Sequence, residues 1–273
     1  MAVPSTRTEY CTAGGTTWDH FVSSSFPFGE FMLSPAKAYK PGKQTEESWY
    51  DGVVGPDAGR DDAGKPLLAA ERQGNLIGFA PGMWADSEHS AQPGSFGDIG
   101  SLLLRRNGQD YDSSGWPSGV FTVPAYELIS DGQKIGPSGA VWKRSQEVTT
   151  SWKFRSHLDG HVYSQGIPLL FPNYGVPEDG LKTVPAADGQ KIGLTVTGHA
   201  GYTPAALVSA KLSYSYDGGT TWTEAKSTQQ GGSWTATVNH AGAAAKNVTL
   251  KAELTDANGN AVTQTVVNAY AVR

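Results

Sequence analysis

The chain has 273 residues, a formal net charge of −5, only 17% charged residues, and 34 glycines, 16 prolines and eight tryptophans. Its lysines and arginines are dispersed and form no basic stripe, which speaks against a nucleic-acid partner. No window approaches the roughly eighteen apolar residues of a membrane helix, and Met1-Ala2-Val3-Pro4-Ser5 carries no charged-then-apolar leader. Cys11 is alone, so it forms neither an intrachain disulfide nor a cysteine zinc site, and a small half-buried side chain is expected there.

Many turns and large aromatics with little charge fit short strands better than helices, and no window shows sustained helical spacing. In the N-terminal part, strands are expected at 7–10, 47–50, 76–79, 102–105, 120–123, 126–129 and 151–156. Asn107-Gly108 is expected to turn a hairpin. Long loops rich in Gly, Pro and Asp are expected at 51–66 and 80–98. Pro168, Pro172, Pro177 and Pro185 mark 157–190 as a linker or irregular lead-in segment.

The C-terminal part reads more clearly. Ile192, Leu194 and Val196 alternate as a half-buried strand requires, as do Val208, Ala210, Leu212, Tyr214 and Tyr216. Trp234, Ala236 and Val238 form a third strand, and Val248, Leu250, Ala252 and Leu254 a fourth. Asp256-Ala257-Asn258-Gly259-Asn260 is a turn, and Val262, Val266, Tyr270 and Val272 return from it. The expectation is an all-β chain with two β-sandwich domains. A larger jelly-roll-like sandwich covers 1–156, and an immunoglobulin- or fibronectin-like one covers 191–273.

Ser215-Tyr216-Asp217-Gly218-Gly219-Thr220-Thr221-Trp222 fits the Asp-box pattern S-x-D-x-G-x-T-W, which marks a tight hairpin. Asp217 is expected to accept turn N–H groups, with Gly218 and Gly219 at positive φ. Ser215 and Thr221 tie the turn through their hydroxyls, and Trp222 covers it. This is a structural role. The box occurs once, which argues against a propeller and hence against a sialidase.

Few constellations suggest chemistry. Clustered carboxylates on loops are calcium-ligand chemistry, so Asp86, Glu88 and His89 are the candidate metal residues, for a structural calcium. Asp57, Asp61 and Asp62 form a second cluster of the same kind, and no EF-hand pattern is present. His157 and His161 have H-x3-H spacing, but Gly160 and the strand signals around them oppose the helix that would align them. Trp84 and Trp116 are expected in loops, where exposed rings stack on sugars, and are the candidate ligand contacts. No G-x-S-x-G elbow occurs, and no histidine has a nearby aspartate and elbow serine to build a triad.

Several segments together resemble the non-catalytic C-terminal region of large secreted subtilisin-like serine peptidases (subtilases) of actinobacteria. They are Arg7-Thr8-Glu9-Tyr10 with Trp18, Tyr39-x-Pro41-Gly42 with Glu47-x-Trp49, Asp86-Ser87-Glu88-His89, Leu104 to Asn107-Gly108, and Tyr126-x-Leu128. Thr150-Ser151-Trp152-x-Phe154-x-Ser156, the Leu212 to Trp222 stretch, Thr255-Asp256-Ala257-x-Gly259-Asn260 and Gln264-Thr265-Val266-Val267-x-Ala269-Tyr270 complete the set. That family's H-G-T-H and G-T-S-M-A motifs are missing, so no catalytic residue is assigned and the chain itself is not expected to be an enzyme. The resemblance implies a secreted or cell-surface protein and a protease domain preceding this region as its partner. It implies roles in stability, docking of protein or polysaccharide substrate, or envelope contact. The alternative is a stand-alone glycan-binding or adhesion module.

Overall fold

The computed structural model describes residues 6–23, 31–86, 88–91, 98–114, 119–121, 127–134, 143–157 and 159–273. The protein is all-β: the described residues contain strands and turns and no helix, so none that could cross a membrane as one. Ser87, Trp116, Val123 and Tyr126 lie outside the described residues.

One large sheet organises the chain. Its strand order is Gln109–Ser114, Asp98–Arg106, Glu127–Lys134, Glu147–Lys153, Ala261–Val272, Asn247–Asp256, Leu207–Ser215, Thr223–Gln230, Ser233–Val238, Gln190–Thr197, Phe171–Gly175. The strand Thr223–Gln230 closes this path into a sandwich. Its first residues pair with Leu212–Tyr214, and its remainder, from Lys226, pairs with Ser233–Thr237. A strand that leaves one sheet to join the next makes the corner of a sandwich. The two faces then meet: Phe171–Gly175 contacts Ala261–Val272, and Gln190–Thr197 contacts Leu207–Ser215. Ile192, Leu194, Ala236 and Val238 from one face and Leu212, Leu250, Ala252 and Val266 from the other fill the interior.

The sheet runs across the boundary expected at 157–190. Glu147–Lys153 pairs along its whole length with Ala261–Val272, setting Val148 opposite Val266, Thr150 opposite Gln264 and Trp152 opposite Val262. All six are buried. The reason is period two: both strands carry their inward residues at alternate positions, so one register buries both sets. The polar pair inside is satisfied. Gln264 donates Nε2–H to Thr150 Oγ1 at 3.0 Å, and the Tyr174 hydroxyl donates to Gln264 Oε1 at 2.9 Å. The expected linker itself holds three strands, Gln165–Gly166, Phe171–Gly175 and Thr183–Val184; Pro168, Pro177 and Pro185 lie outside them, and Pro172 lies within the edge strand Phe171–Gly175, opposite Val196.

The N-terminal part adds small sheets against this frame. Gly119–Phe121, Leu76–Phe79, Ala70–Gln73 and Gln165–Gly166 form one, and Gly55–Asp57 pairs with Gly82–Ala85. Thr17–Trp18 pairs with Lys37–Ala38, while Phe21–Ser23, Phe31–Leu33 and Ser90–Ala91 form a fourth small sheet.

Three expectations about elements need correction. Residues 7–10 and 47–50 are not strands: Tyr10 is 95% exposed, and Tyr50 takes φ of 56° in a turn. Both have sequences suited to a strand, but no neighbouring edge pairs with them. The stretches 51–66 and 80–98 are not wholly loops, because Gly55–Asp57 and Gly82–Ala85 are buried throughout. Val208 is exposed, and Leu207 points inward instead. A register shift between Leu207 and Ser209 inserts a β-bulge there, which reverses the side-chain alternation. Asn107 and Gly108 do turn the expected hairpin, with φ of 52° and 77°.

Candidate functional site

Among the described residues, a group of interacting titratable side chains in the N-terminal part gathers around Glu47. Backbone ladders set the positions. Lys37 lies on the strand paired with Thr17–Trp18, His20 sits between two short strands, and His89 immediately precedes Ser90–Ala91. His20 is held further by Ser34, whose N–H donates to the His20 carbonyl at 2.9 Å and whose Oγ accepts the His20 N–H at 3.0 Å.

Glu47 joins these pieces. Its Oε1 accepts from Lys37 Nζ at 2.5 Å and lies 3.5 Å from His89 Nε2, while Oε2 lies 3.2 Å from His20 Nδ1. The other side of His20 faces outward: Nε2 is 3.6 Å from Glu9 Oε2 and 3.9 Å from Cys11 Sγ. Burial works to raise the Glu47 pKa, but Lys37 and then His20 outweigh it and hold the carboxyl below its ordinary value.

His89 is buried, with its ring against both Asp86 and Trp49. Nδ1 lies 2.9 and 2.8 Å from the two Asp86 oxygens, and the indole of Trp49 stacks on the ring at 3.9 Å and 15°. Burial works against a charged ring here. The Asp86 hydrogen bond and charge, with Glu47 behind them, outweigh it and keep the His89 pKa above its ordinary value.

The candidate metal residues are therefore otherwise engaged. Asp86 accepts the N–H groups of Glu88 at 2.9 Å and His89 at 2.7 Å, the N–H of Asp51 at 3.3 Å, and the His89 ring. Glu88 points to solvent. Among the described residues no three His, Cys, Asp or Glu side chains are arranged to hold an ion. Asp86 folds the loop on itself through these bonds. The second cluster disperses in the same way. Asp57 is buried against Ala58 N–H, Thr197 and Arg60, and Asp61 caps the N–H groups of Ala63 and Lys65. His157 and His161 are exposed, and the His161 N–H is taken by Asp159 at 2.9 Å.

Trp84, a candidate ligand contact, is placed differently from the loop position expected of it. It lies on the strand Gly82–Ala85, not in a loop, and is only 4% exposed, so no sugar ring reaches its face.

The Asp box forms a closed set of hydrogen bonds. Ser215 Oγ donates to Asp217 Oδ1 at 2.6 Å and accepts the Gly219 N–H at 2.9 Å. Asp217 accepts the Thr221 N–H at 2.9 Å and its hydroxyl at 2.6 Å. Gly218 and Gly219 take φ of 71° and 93°, and the Trp222 ring lies over Gly219, 3.0 Å from where a Cβ would stand. The Ser215 hydroxyl, then Thr221, holds the Asp217 carboxyl far below its ordinary pKa.

No family model and no curated protein matches the chain.

Sequence reasoning found Asp86 and His89 but not their partners. Glu47 and Trp49 stand two residues apart, and both reach the His89 ring. Nothing in the sequence ties either to His20 or to Lys37. The remaining buried imidazoles are engaged structurally, His199 by backbone groups and His240 by tyrosine hydroxyls. His199 Nε2 donates to the Ile167 carbonyl at 2.7 Å, and its Nδ1 accepts the N–H of Gly201 at 3.2 Å and of Ala69 at 3.4 Å. His240 is hydrogen-bonded to the hydroxyls of Tyr216 at 2.6 Å and Tyr270 at 3.1 Å.

Proposed function

We propose that this chain is a non-catalytic accessory region of a secreted subtilisin-like serine protease, acting through stability, substrate docking or contact with the cell envelope. The observation that supports it is the use to which the polar side chains are put. Asp86, Asp217, Asp256, His199 and His240 all hold turns or strand crossings together. A cleft between Pro56, Asp57, Ala85 and Tyr174 has room on the order of one water molecule. A sheet continuous from the N-terminal to the C-terminal strands suits a rigid platform whose loops face outward. The family resemblance supplies the parent and the extracellular setting.

Two measurements test this reading. Casein and peptide hydrolysis by the purified chain, with and without a serine-protease inhibitor, is expected to show no turnover. Inhibitor-sensitive turnover after removal of contaminating protease would overturn it. The coding sequence upstream of Met1 is expected to carry the H-G-T-H and G-T-S-M-A motifs, and a different upstream domain would remove the protease assignment. Retention on a polysaccharide matrix without such a domain would favour the stand-alone glycan-binding or adhesion module. The burial of Trp84 weighs against that second reading.

A further inference from the structure

We propose that Asn107 is a site of spontaneous covalent modification, at which the Gly108 nitrogen displaces the side-chain amide. The pair Asn258-Gly259 has the same chemistry in its sequence but is shielded from the reaction by its turn.

The chain holds two Asn-Gly pairs, at 107–108 and 258–259. Glycine has no side chain to keep its own nitrogen away from the preceding Cγ, so this pairing favours ring closure. The glycine nitrogen bonds to the asparagine Cγ and gives up its proton, and the Cγ–Nδ2 bond breaks. The leaving group takes up the proton and departs as ammonia, which leaves a succinimide ring. Water then opens the ring at one carbonyl or the other, giving an aspartyl residue or a β-linked isoaspartyl residue. Water is the only co-reactant, and nothing is oxidised or reduced.

The two turns differ in what must break before the nitrogen can reach the carbon. The Gly259 N–H donates to the Asp256 carbonyl at 3.0 Å, and Asn258 Nδ2 donates to the Tyr202 hydroxyl at 3.1 Å. The Asn258 N–H donates to Asp256 Oδ1 at 3.0 Å, and Asp256 is fully buried. Nucleophile and leaving group are therefore both tied. At the other pair neither is. Asn107 is exposed, and among the described residues nothing bonds its side-chain amide or the Gly108 N–H. The space around Gly108 is open, since a Cβ placed there would meet no atom within 4 Å.

The turn at 107–108 sits at φ of 52° and 77°, and it must relax before the ring can close. Its position makes that a local event. Residues 106–112 are exposed, Gln109–Ser114 ends the strand order of the large sheet, and the ladder slips between Leu104 and Arg105. The product changes this edge. A new carboxylate joins Asp110 and Asp112 on the same hairpin, and the β-linked form adds a backbone atom to a turn of two residues. The pairing of Arg106 with Gln109 cannot keep its register around that longer link.

The test is incubation of the whole 273-residue chain in mildly alkaline buffer, folded and in concentrated urea. Proteolysis in acid and mass spectrometry then separate the asparaginyl, aspartyl and isoaspartyl forms of the peptides containing 107 and 258. Each folded rate is divided by the rate of the same site in urea. That ratio is expected to be at least about tenfold greater for Asn107, because each ordinary hydrogen bond broken first is worth up to about tenfold in rate. Equal ratios, or a larger one at Asn258, would overturn the proposal, and so would a folded chain in which neither site reacts. Tyr202→Phe, which removes the hydroxyl that holds the Asn258 amide, is expected to speed the reaction at 258 and leave that at 107 unchanged. An unchanged rate at 258 would remove the shielding from the account.

Discussion

The indole N–H of Trp152 donates to the Leu170 carbonyl at 2.7 Å, deep inside the protein. The same ring meets Phe79 edge-on at 5.3 Å and Phe171 at 5.9 Å. One side chain on the central sheet therefore joins a hairpin of the N-terminal part, the segment expected to be a linker, and the second face of the sandwich. Interdomain freedom at residues 157–190 would require breaking this cluster.

Trp152→Phe keeps an aromatic ring but leaves the Leu170 carbonyl buried without that partner. An orphaned buried acceptor costs about 1–3 kcal/mol, and the smaller ring adds to that. The urea midpoint should fall accordingly. A single cooperative transition is expected in both proteins when tryptophan fluorescence and far-UV circular dichroism are compared. Two separated transitions in the wild type would show that the halves unfold independently.

Gly166 and Gly201 cross without room for a side chain. A Cβ on Gly166 would stand 2.0 Å from the Gly201 carbonyl oxygen, and one on Gly201 would stand 2.6 Å from the Gly166 Cα. Both obstacles are backbone, so neither moves aside cheaply. Gly166→Ala and Gly201→Ala should each cost about 3 kcal/mol, the upper range for overpacking. Gly74→Ala, open in space but at φ of 58°, should cost only about 1 kcal/mol. Thermal melts of the three variants check the order.

Histidines pull the pH profile of stability in opposite directions. Burial holds His199 and His240 below their ordinary pKa. Their contribution is complete above the unfolded value of about 6.5 and is lost as pH falls from there through the folded values. Each unmatched proton steepens the acid limb by up to about 1.4 kcal/mol per pH unit. His89 acts with the other sign, its contribution being present in acid and lost as pH rises. Denaturant midpoints measured across pH should show a shallower acid limb in His199→Asn and a shallower alkaline limb in His89→Gln. Parallel profiles would count against these assignments.

The Asp box should behave as one unit. Ser215 is buried and its Oγ both donates and accepts, so Ser215→Ala should cost about 1–2 kcal/mol. Asp217→Ala should lower the melting temperature, and the double variant should lose less than the sum, since both break the same set of bonds. The depressed Asp217 pKa adds stability above the ordinary carboxylate value, lost as pH falls toward the folded one. An unchanged melting temperature in Asp217→Ala would remove the box from the structural account.

Legibility tracked how local the determining physics was. The Asn107-Gly108 turn and strands such as Leu76–Phe79 and Ser233–Val238 carry their own signals: residues tolerant of positive φ, and apolar side chains at period two. The corner strand Thr223–Gln230 carries none. Only Ala225 in it is buried, so its pairing to two faces leaves no apolar alternation in Thr-Glu-Ala-Lys-Ser-Thr-Gln-Gln. The bulge at Leu207–Ser209 is equally silent, and it exchanged which of Leu207 and Val208 enters the core. Of the candidate site, Asp86 and His89 stood out because they are neighbours in sequence. Glu47, Lys37 and His20 did not, because Glu47 lies on no strand and the ladders beside Lys37 and His89 join strands far apart in the chain.

The sequence by itself determined an all-β chain, the positions of several tight turns and much of the apolar core of the C-terminal strands. These depend on backbone preference and on side-chain period, which are properties of a few consecutive residues. The tertiary structure alone decided that one sheet spans the N- and C-terminal parts, that Trp84 is buried, and that Glu47 and Asp86 flank one imidazole. Each of these is a pairing between distant segments. Such pairings are fixed by which edges and faces remain to be covered once the local elements exist, a quantity that no short stretch of sequence contains.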